Sequence, residues 1–178
     1  MYTEETTPNN EAMALVADTN SQSNIAVAEA SGLNKPTLRL GSTGPTVKEL
    51  QQLLCHWKYH YCSPFDGIFG VVVEFAVKRY QHRVFLAEDG VVGALTWEAL
   101  FTGAPVNMPT LMTGSSGNAV KLVQNVLKLN NNCSGGVVDG IFGPITEAAV
   151  KTFKTAQGLS ADGIVEYTTW HALSKLPH

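Results

Sequence analysis

The sequence lacks several features that mark particular classes of protein. No apolar run comes near the roughly 20 residues that a membrane-spanning helix needs. The opening segment, residues 1–7, has neither a basic region nor an apolar stretch, so it predicts no signal peptide. Paired catalytic carboxylates, a nucleophile elbow, a metalloprotease helix and a phosphate loop are also missing from the sequence, which argues against an enzyme.

Charge is scarce and unevenly spread. Residues 1–35 contain five acidic residues and one basic residue, whereas the rest of the 178-residue chain contains ten acidic and eleven basic residues. A nearly neutral body without a basic stripe predicts no nucleic-acid partner. Such a balance suits a neutral carbohydrate or a peptide as ligand.

Cysteine is also rare, and its pattern indicates no metal centre. Cys55, Cys62 and Cys133 cannot all pair within one chain, and their spacing matches no structural zinc motif. A Cys55–Cys62 disulfide is possible on their closeness in sequence. His56 and His60 lie beside these two cysteines and could ligate zinc, but the helix is expected to end between them, and the second half of the chain has no matching ligands. We therefore predict neither a metal nor a cofactor.

What the chain does contain is an internal repeat. The pentapeptide Asp-Gly-Ile-Phe-Gly occurs at 66–70 and again at 139–143, and this one offset aligns the two copies without a gap. Other identical pairs at the same offset are Gly41/Gly114, Val47/Val120, Lys48/Lys121, Gln51/Gln124, Glu74/Glu147, Asp89/Asp162, Gly90/Gly163, Trp97/Trp170 and Leu100/Leu173.

Each copy predicts the same three-helix module. Apolar residues recur every three or four positions from Val47 to Trp57, which indicates a first helix. A second helix is expected to begin near Val71 or Pro144, and a short third helix carries the repeated tryptophan. The predicted fold class is all-α, with a polar N-terminal tail at 1–35, two tandem modules at 36–103 and 108–176, and a short linker between them.

The ordered motifs carry a family resemblance. The pattern Gly-Ser-x-Gly-x-x-Val-Lys-x-x-Gln-x-x-Leu, then Asp-Gly-Ile-Phe-Gly, Glu-x-Ala-Val-Lys, Leu-x-x-Asp-Gly and Thr-Trp-x-Ala-Leu, resembles the three-helix peptidoglycan-binding domain family. It covers both modules and excludes the tail. The second copy fits more closely, because the first has Val71 and Val73 where the second has proline and threonine, and Phe85 where glycine is usual.

The resemblance implies binding of bacterial peptidoglycan, through its glycan strand or its stem peptide, in the cell envelope or periplasm. In this family catalysis is normally supplied by a separate domain, and the residues outside the two modules are too few to form one. A wall-active enzyme is a further possible partner.

The repeated Asp-Gly turns are the first candidate binding residues. Aspartate accepts local backbone hydrogen bonds and glycine adopts positive φ at little cost, so a structural role accounts for the turns. The functional alternative is that backbone N–H groups beside the turn bind the polymer. The candidates on this reading are Asp66, Gly67, Phe69, Asp139, Gly140 and Phe142, although Phe69 and Phe142, with Ile68 and Ile141, are also expected to pack and anchor the loop.

An aromatic cluster in the first module is the second candidate. Trp57, Tyr59 and Tyr61 align with polar or small residues of the second module, so the shared fold does not require them. Part of the cluster is therefore expected to be exposed and to stack on sugar rings, or to contact the other module or the tail. Trp97 and Trp170, by contrast, are predicted to be core residues.

Two hypotheses of different class follow. The first is a non-catalytic peptidoglycan-binding protein with two tandem sites. The second is a protein–protein scaffold or regulatory partner that kept the fold and lost wall binding. Trp57 and Tyr61 discriminate them, since burial between the modules favours the scaffold and an open groove favours carbohydrate binding. A third idea, an enzyme that uses Cys62 and His60, has no motif to support it.

Overall fold

The computed structural model describes residues 34–59, 64–130 and 137–178, and within them the chain is helical. Residues 1–33 of the predicted tail 1–35 lie outside this range, as do Tyr61, Cys62 and Cys133. Four isolated β-bridges are the only extended pairing among the described residues. The helices are α1 (Pro45–His56), α2 (Val71–Arg83), α3 (Ala94–Thr102), α4 (Asn118–Leu129), α5 (Pro144–Ala156) and α6 (Tyr167–Leu173).

The helix starts follow from the sequence. Pro45 and Pro144 stand at the first turn of α1 and α5, where a residue without an N–H leaves no intrahelical hydrogen bond unmade. Gly44 precedes α1 with φ of 114°, a conformation that glycine adopts most easily. The all-α prediction with three helices in each copy is confirmed. No helix within the described residues has both the length and the apolar character to cross a membrane.

Each copy of the repeat forms its own hydrophobic core. The tryptophan at the matched position lies at the centre of each, with Trp97 and Trp170 both fully buried. Their indole N–H groups donate to the carbonyl oxygens of Pro36 and Pro109 at 2.9 and 2.8 Å, so neither buried donor is left without an acceptor. The prediction that both tryptophans are core residues is confirmed.

The β-bridges tie the segment before each first helix to the two Asp-Gly turns. Leu38 pairs with Val92 and Thr43 pairs with Ile68, both antiparallel. The second module repeats both bridges at the matched positions, Leu111/Val165 and Ser116/Ile141. The three helices of a module are therefore joined through its turns as well as through its core.

The two modules are in contact. Ala104 and Val106 of the linker are buried, and Val106 belongs to the first core. Phe85, at the end of α2, packs against the second core, with its ring centroid 5.5 Å from that of Trp170. A buried linker and a shared aromatic contact hold the modules together.

Candidate ligand-binding surface

The turn that follows α1 is held by a buried glutamine. The Gln51 side chain is 2% exposed, and its amide nitrogen donates to Asp66 Oδ1 at 2.7 Å and to the Ile68 carbonyl oxygen at 3.3 Å. Its Oε1 accepts from the Gly67 N–H at 3.0 Å. Asp66 Oδ1 also accepts from the Ile68 N–H at 2.9 Å. The Gln51 amide therefore forms hydrogen bonds with the aspartate, the glycine and the isoleucine of the turn.

The same arrangement recurs at two other turns, and a variant of it at a fourth. The second module repeats it with Gln124, Asp139 and Gly140, where Gln124 Nε2 donates to Asp139 Oδ1 at 2.9 Å and Gly140 N–H donates to Gln124 Oε1 at 2.9 Å. Gln81 holds the second turn of module one through a 2.7 Å bond to Asp89. The fourth turn, at Asp162 and Gly163, uses a lysine.

That lysine, Lys154, is completely buried although it carries an ammonium group. Its Nζ donates to Asp162 Oδ1 at 2.6 Å and to the Ile164 carbonyl oxygen at 2.9 Å, and it lies 3.7 Å from Glu166 Oε1. The hydrogen bond from Lys154 lowers the pKa of Asp162, with the Ile164 N–H acting in the same direction. A buried charge is tolerable here because it is paired with Asp162 and makes two hydrogen bonds.

These contacts favour the structural role of the turns over the alternative in which backbone N–H groups beside them bind the polymer. In module one the Gly67 and Ile68 amides donate to Gln51 and Asp66, and the Phe69 amide donates to the Ser42 carbonyl oxygen at 2.9 Å. The second module uses the corresponding amides in the same way. A donor that is already satisfied inside the module gains nothing by turning to a ligand.

Burial along the turn separates the residues that were expected to pack. Phe69 and Phe142 are fully buried, so the expectation that they anchor the loop is confirmed and neither ring is free to contact a ligand. Ile68 and Ile141, which were expected to pack inside, are 53% and 58% exposed. Successive side chains of an extended segment point to opposite sides, so only one of the two apolar residues can reach the core.

What remains on the surface of the turn is an acidic and apolar pair. Asp66 and Asp139 are exposed beside Ile68 and Ile141. Gly67 and Gly140, the glycines between them, are buried with positive φ. A Cβ on Gly67 would lie 3.0 Å from Lys48 Cγ and 3.1 Å from the Gly44 carbonyl oxygen, so this glycine has a structural role.

The aromatic cluster packs against its own module. Trp57 is half-buried, and its indole N–H donates to the Leu100 carbonyl oxygen at 2.8 Å. The Arg83 guanidinium lies 5.1 Å from the centre of the indole ring. Tyr59 is also half-buried and meets Tyr80 edge-on, with ring centroids 5.7 Å apart. Both aromatics therefore pack against residues of their own module and keep part of their ring surface exposed.

The structure describes only part of the aromatic cluster and only one of the three cysteines. Tyr61 and His60 lie outside the described residues, as does Cys62. Cys55 is disulfide-bonded, which removes its thiolate as a metal ligand. No cluster of three or more metal-ligating side chains occurs within residues 34–59, 64–130 and 137–178.

The sequence profile of one family matches both copies of the repeat. The family, described as "Putative peptidoglycan binding domain", matches residues 43–100 and 116–173, which together make up more than half of the chain. The chain belongs to this family. The two matches begin and end at corresponding positions of the two copies, so the family pattern extends over the same part of each module.

Three relatives are similar in sequence to parts of this chain. An uncharacterized protein in the bpoA1 3′ region of Kitasatospora aureofaciens is 45% identical over 71 residues, 40% of this chain and 60% of its own length. The N-acetylmuramoyl-L-alanine amidase CwlL of Bacillus licheniformis is 29% identical over 168 residues, covering 81% of this chain and 47% of the amidase. The zinc D-Ala-D-Ala carboxypeptidase of Streptomyces albus G is 43% identical over 68 residues, 38% of this chain and 27% of that enzyme. The chain thus spans less than two thirds of each relative.

The residues that organise each peptidoglycan-binding module were missed by sequence reasoning. Gln51, Gln81, Gln124 and Lys154 hold the four turns, yet they were not considered as functional or structural centres. A signal was present, because Gln51 and Gln124 are identical at the repeat offset and lie within the apolar stripe of a helix. A polar residue at a core position must find hydrogen-bond partners, and a turn rich in backbone donors supplies them.

The junction between the two peptidoglycan-binding modules also contains residues that sequence reasoning missed. His178 stacks on Phe85 and on His82, with ring centroids 4.5 and 4.9 Å apart. His82 Nε2 lies 2.6 Å from the His178 carbonyl oxygen, and His82 Nδ1 lies 2.8 Å from Glu88 Oε1. Because both ring nitrogens face oxygen acceptors, the hydrogen bond to His178 and then that to Glu88 raise the pKa of His82.

Proposed function

We propose that this chain binds bacterial peptidoglycan non-catalytically, through two tandem modules that act together in the cell envelope. The observation that carries the proposal is that both copies match the binding family and that each has its own complete core and turn framework. The wall-directed names of the amidase and the carboxypeptidase agree with this ligand.

The exposed pair on each first turn is the shared contact surface that we propose. Asp66 with Ile68 and Asp139 with Ile141 stand at matched positions, and packing does not explain why an isoleucine is more than half exposed in both modules. An apolar side chain beside a carboxylate suits a sugar or peptide that carries both methyl and amide groups. Trp57 and Tyr59 remain proposed contacts only through the ring surface that is still exposed, and Tyr61 remains a proposed contact.

Duplication has a direct energetic consequence for such weak sites. A millimolar site contributes only about 4 kcal/mol of binding free energy. Two sites on one rigid body that reach the same polymer raise the apparent affinity by about 100-fold or more without any new contact. The buried linker and the contact of Phe85 with the second core keep both surfaces on one body.

Sedimentation of the whole chain with purified sacculi tests the proposal, with cellulose and chitin as control polymers. We expect the chain to pellet with sacculi and to remain in solution with both controls. Ile68→Glu and Ile141→Glu should each weaken retention, and the double variant should weaken it further, because each removes one of two linked sites. Equal recovery with all three polymers would overturn wall binding, and equal retention of all four chains would overturn the shared surface.

A protein-binding scaffold is the second candidate, and one observation in module one favours it. Val71, Val72 and Phe75 at the start of α2 are 70%, 54% and 63% exposed. The second module has Pro144, the 63% exposed Ile145 and Ala148 at these positions, so the extra apolar surface is peculiar to module one. Exposed apolar patches of this kind mark protein interfaces.

Phe75→Glu separates the two candidates. A scaffold for a wall-active hydrolase should lose its complex with that enzyme in analytical ultracentrifugation while its retention on sacculi stays unchanged. A chain that sediments with sacculi and forms no complex with the enzyme before or after the substitution would leave wall binding as the function and exclude the scaffold.

A further inference from the structure

The four Asp-Gly turns differ in the hydrogen bonding of their glycine N–H. At three turns this N–H donates to the Oε1 of a buried glutamine, at 3.0 Å from Gly67, 2.9 Å from Gly90 and 2.9 Å from Gly140. Gly163 is buried as well, but its N–H has no hydrogen-bond acceptor within the described part of the chain. A buried backbone N–H without an acceptor is rare in folded proteins, so the fourth turn differs from the other three at the glycine nitrogen.

The difference arises because a lysine holds the fourth turn. Lys154 Nζ donates to Asp162 Oδ1 at 2.6 Å and to the Ile164 carbonyl oxygen at 2.9 Å, and Gln81 Nε2 makes the same two contacts at the second turn of module one. An ammonium group has three protons and no lone pair, whereas a glutamine also has Oε1 to offer. Lys154 therefore leaves the glycine N–H unbound and places a buried cation against the Asp162 carboxylate.

An aspartate followed by a glycine can close a five-membered succinimide ring. The backbone nitrogen of the glycine attacks the carboxyl carbon of the aspartate side chain, and glycine permits this approach because it has no Cβ to obstruct it. A hydrogen bond from the glycine N–H to glutamine opposes ring closure, since it must break before the nitrogen can lose its proton and bond to carbon. Gly67, Gly90 and Gly140 have that protection, and Gly163 does not.

Protonation of the departing oxygen is the second requirement of ring closure. Hydrogen bonds from Lys154 and Gln124 lower the pKa of Asp162 and the pKa of Asp139 respectively, so both carboxylates are ionised at neutral pH and neither has a proton of its own. The Lys154 ammonium can donate one across the 2.6 Å contact, whereas the Gln124 amide is too weak an acid to do so. Both differences favour ring closure at the fourth turn.

We propose that Asp162-Gly163 is a site of spontaneous isomerisation of the main chain, and that the glutamines of the other three turns protect those turns from it. The Gly163 nitrogen bonds to Asp162 Cγ, and the Cγ–Oδ1 bond breaks. The oxygen leaves as water with the amide proton of Gly163 and one proton of the Lys154 ammonium, which solvent then replaces. Water next opens the ring at the main-chain carbonyl carbon of Asp162, which yields isoaspartate, or at Cγ, which restores aspartate. One water is released and one is taken up, so no other reactant is needed.

Isomerisation at this turn alters the second module and leaves the first unchanged. It adds the Cβ atom of Asp162 to the main chain and moves the carboxylate from Cβ to Cα. Val165, just after the turn, pairs with Leu111 through N–O distances of 2.8 and 2.9 Å. An added main-chain atom shifts the register of this bridge, so module two loses it while module one keeps its own. The reaction requires no ligand and therefore does not depend on the proposed function.

Ageing of the folded whole chain at neutral pH tests the proposal. Protein L-isoaspartyl methyltransferase measures the isoaspartate formed, and electron-transfer fragmentation of the peptides assigns it to a turn. We expect at least about threefold more isoaspartate at Asp162 than at Asp66, Asp89 or Asp139, which corresponds to the loss of one protecting hydrogen bond. The same chain unfolded in urea should isomerise nearly alike at all four turns, because only the shared Asp-Gly sequence then remains. Equal levels at the four turns of the folded chain would overturn the proposal.

Exchange of the two kinds of side chain provides a matched pair of variants. Lys154→Gln supplies the missing acceptor, so isoaspartate at Asp162 should fall by about threefold or more, to the level of the other turns. A failure to fold would expose the turn and raise that level, so a fall cannot come from misfolding. Gln124→Lys should raise isoaspartate at Asp139 by a similar factor without a rise at Asp162, which unfolding of the module would also raise. An unchanged or raised level at Asp162 in Lys154→Gln would contradict the proposed role of the lysine, and so would an increase in Gln124→Lys that is absent at Asp139 or equal at both turns.

Discussion

Four buried polar side chains each hold one Asp-Gly turn. Three of them are glutamines, and the fourth is a lysine. Gln51, Gln81 and Gln124 accept from the turn glycine and donate to the turn aspartate. Lys154 donates to Asp162 and to the Ile164 carbonyl oxygen, and it has no acceptor to offer the glycine N–H. At the scale of the residue, the lysine exchanges one hydrogen bond for a paired charge.

Lys154 substitutions should separate the need for a donor from the need for a charge. Lys154→Met leaves two acceptors without their donor, so we expect it to lower the free energy of unfolding by about 1–3 kcal/mol. Lys154→Gln installs the residue that Gln81 already provides at the matched position and should cost clearly less. Urea unfolding of both variants measures the difference. Equal losses would show that the charge, and not the hydrogen bonds, holds the turn.

At the scale of the element, two helices are followed by glycines whose surroundings differ greatly. Gly103 ends α3 with φ of 68°, and Gly158 follows α5 with φ of 69°. A Cβ on Gly103 would lie 2.1 Å from Trp57 Cη2, whereas nothing lies within 4 Å of the corresponding position on Gly158. The same backbone conformation is thus combined with a tight contact in one place and open space in the other.

Alanine at these two glycines separates backbone strain from packing. Gly158→Ala should cost only the left-handed conformation, about 1–2 kcal/mol. Gly103→Ala carries the same cost and must also displace the Trp57 ring, which adds about 1–3 kcal/mol by overpacking. Urea unfolding reports the loss of stability, and a change in tryptophan fluorescence in Gly103→Ala that Gly158→Ala lacks reports the displaced ring. If the two variants lose the same stability, the packing of Trp57 on Gly103 contributes nothing.

The helices were predictable from the sequence, and the side-chain roles around them were predictable only in part. A repeat that aligns without a gap requires two copies of one fold, and the period of the apolar residues identifies the helices. The sequence does not say which of Ile68 and Phe69 faces the core, because that depends on the bridge from Ile68 to Thr43. The position of Trp57 likewise depends on Leu100, in the last helix of the module, and on Gly103, directly after that helix; both lie far from Trp57 along the chain.

At the scale of the whole molecule, the junction of the modules contains a histidine whose pKa is raised. His82 faces Glu88 and the His178 carbonyl oxygen, and both contacts favour its cationic form. A folded-state pKa above the ordinary 6.5 contributes stability that is complete below 6.5 and is lost as the pH rises through the folded value. The pKa of His171 is lowered, so its contribution to stability changes with pH in the opposite direction.

His82→Gln should therefore remove a loss of stability that sets in as the pH rises above 6.5. The quantity to compare is the difference in unfolding free energy between the two chains across this range, since the contribution of His171 cancels in that difference. Glu88→Gln, which removes the second cause of the raised pKa, should reduce the effect without abolishing it. A difference that does not change with pH would show that His82 titrates alike in the folded and unfolded chains.

Phe85 belongs to module one and packs against the core of module two. Its φ of 57° lies in the left-handed region, which disfavours a phenylalanine, and its counterpart Gly158 adopts the same region freely. The strain is offset because the ring packs against the second core, edge-on to Trp170 and stacked on His178. An unfavourable backbone conformation in module one is thus retained for a contact that only module two completes.

Phe85→Gly should consequently relieve strain within one module and weaken the association of the two. We expect calorimetry to resolve two unfolding transitions in the variant where the unaltered chain shows one, because each module has its own core and loses the contact that couples them. Phe85→Ala removes the same ring and keeps the left-handed cost, so its first module should unfold at a lower temperature than that of Phe85→Gly. On sacculi, both variants should be retained less well than the unaltered chain, since linked sites on a looser body have a lower effective concentration. A single transition in both variants would place the coupling in the buried linker instead.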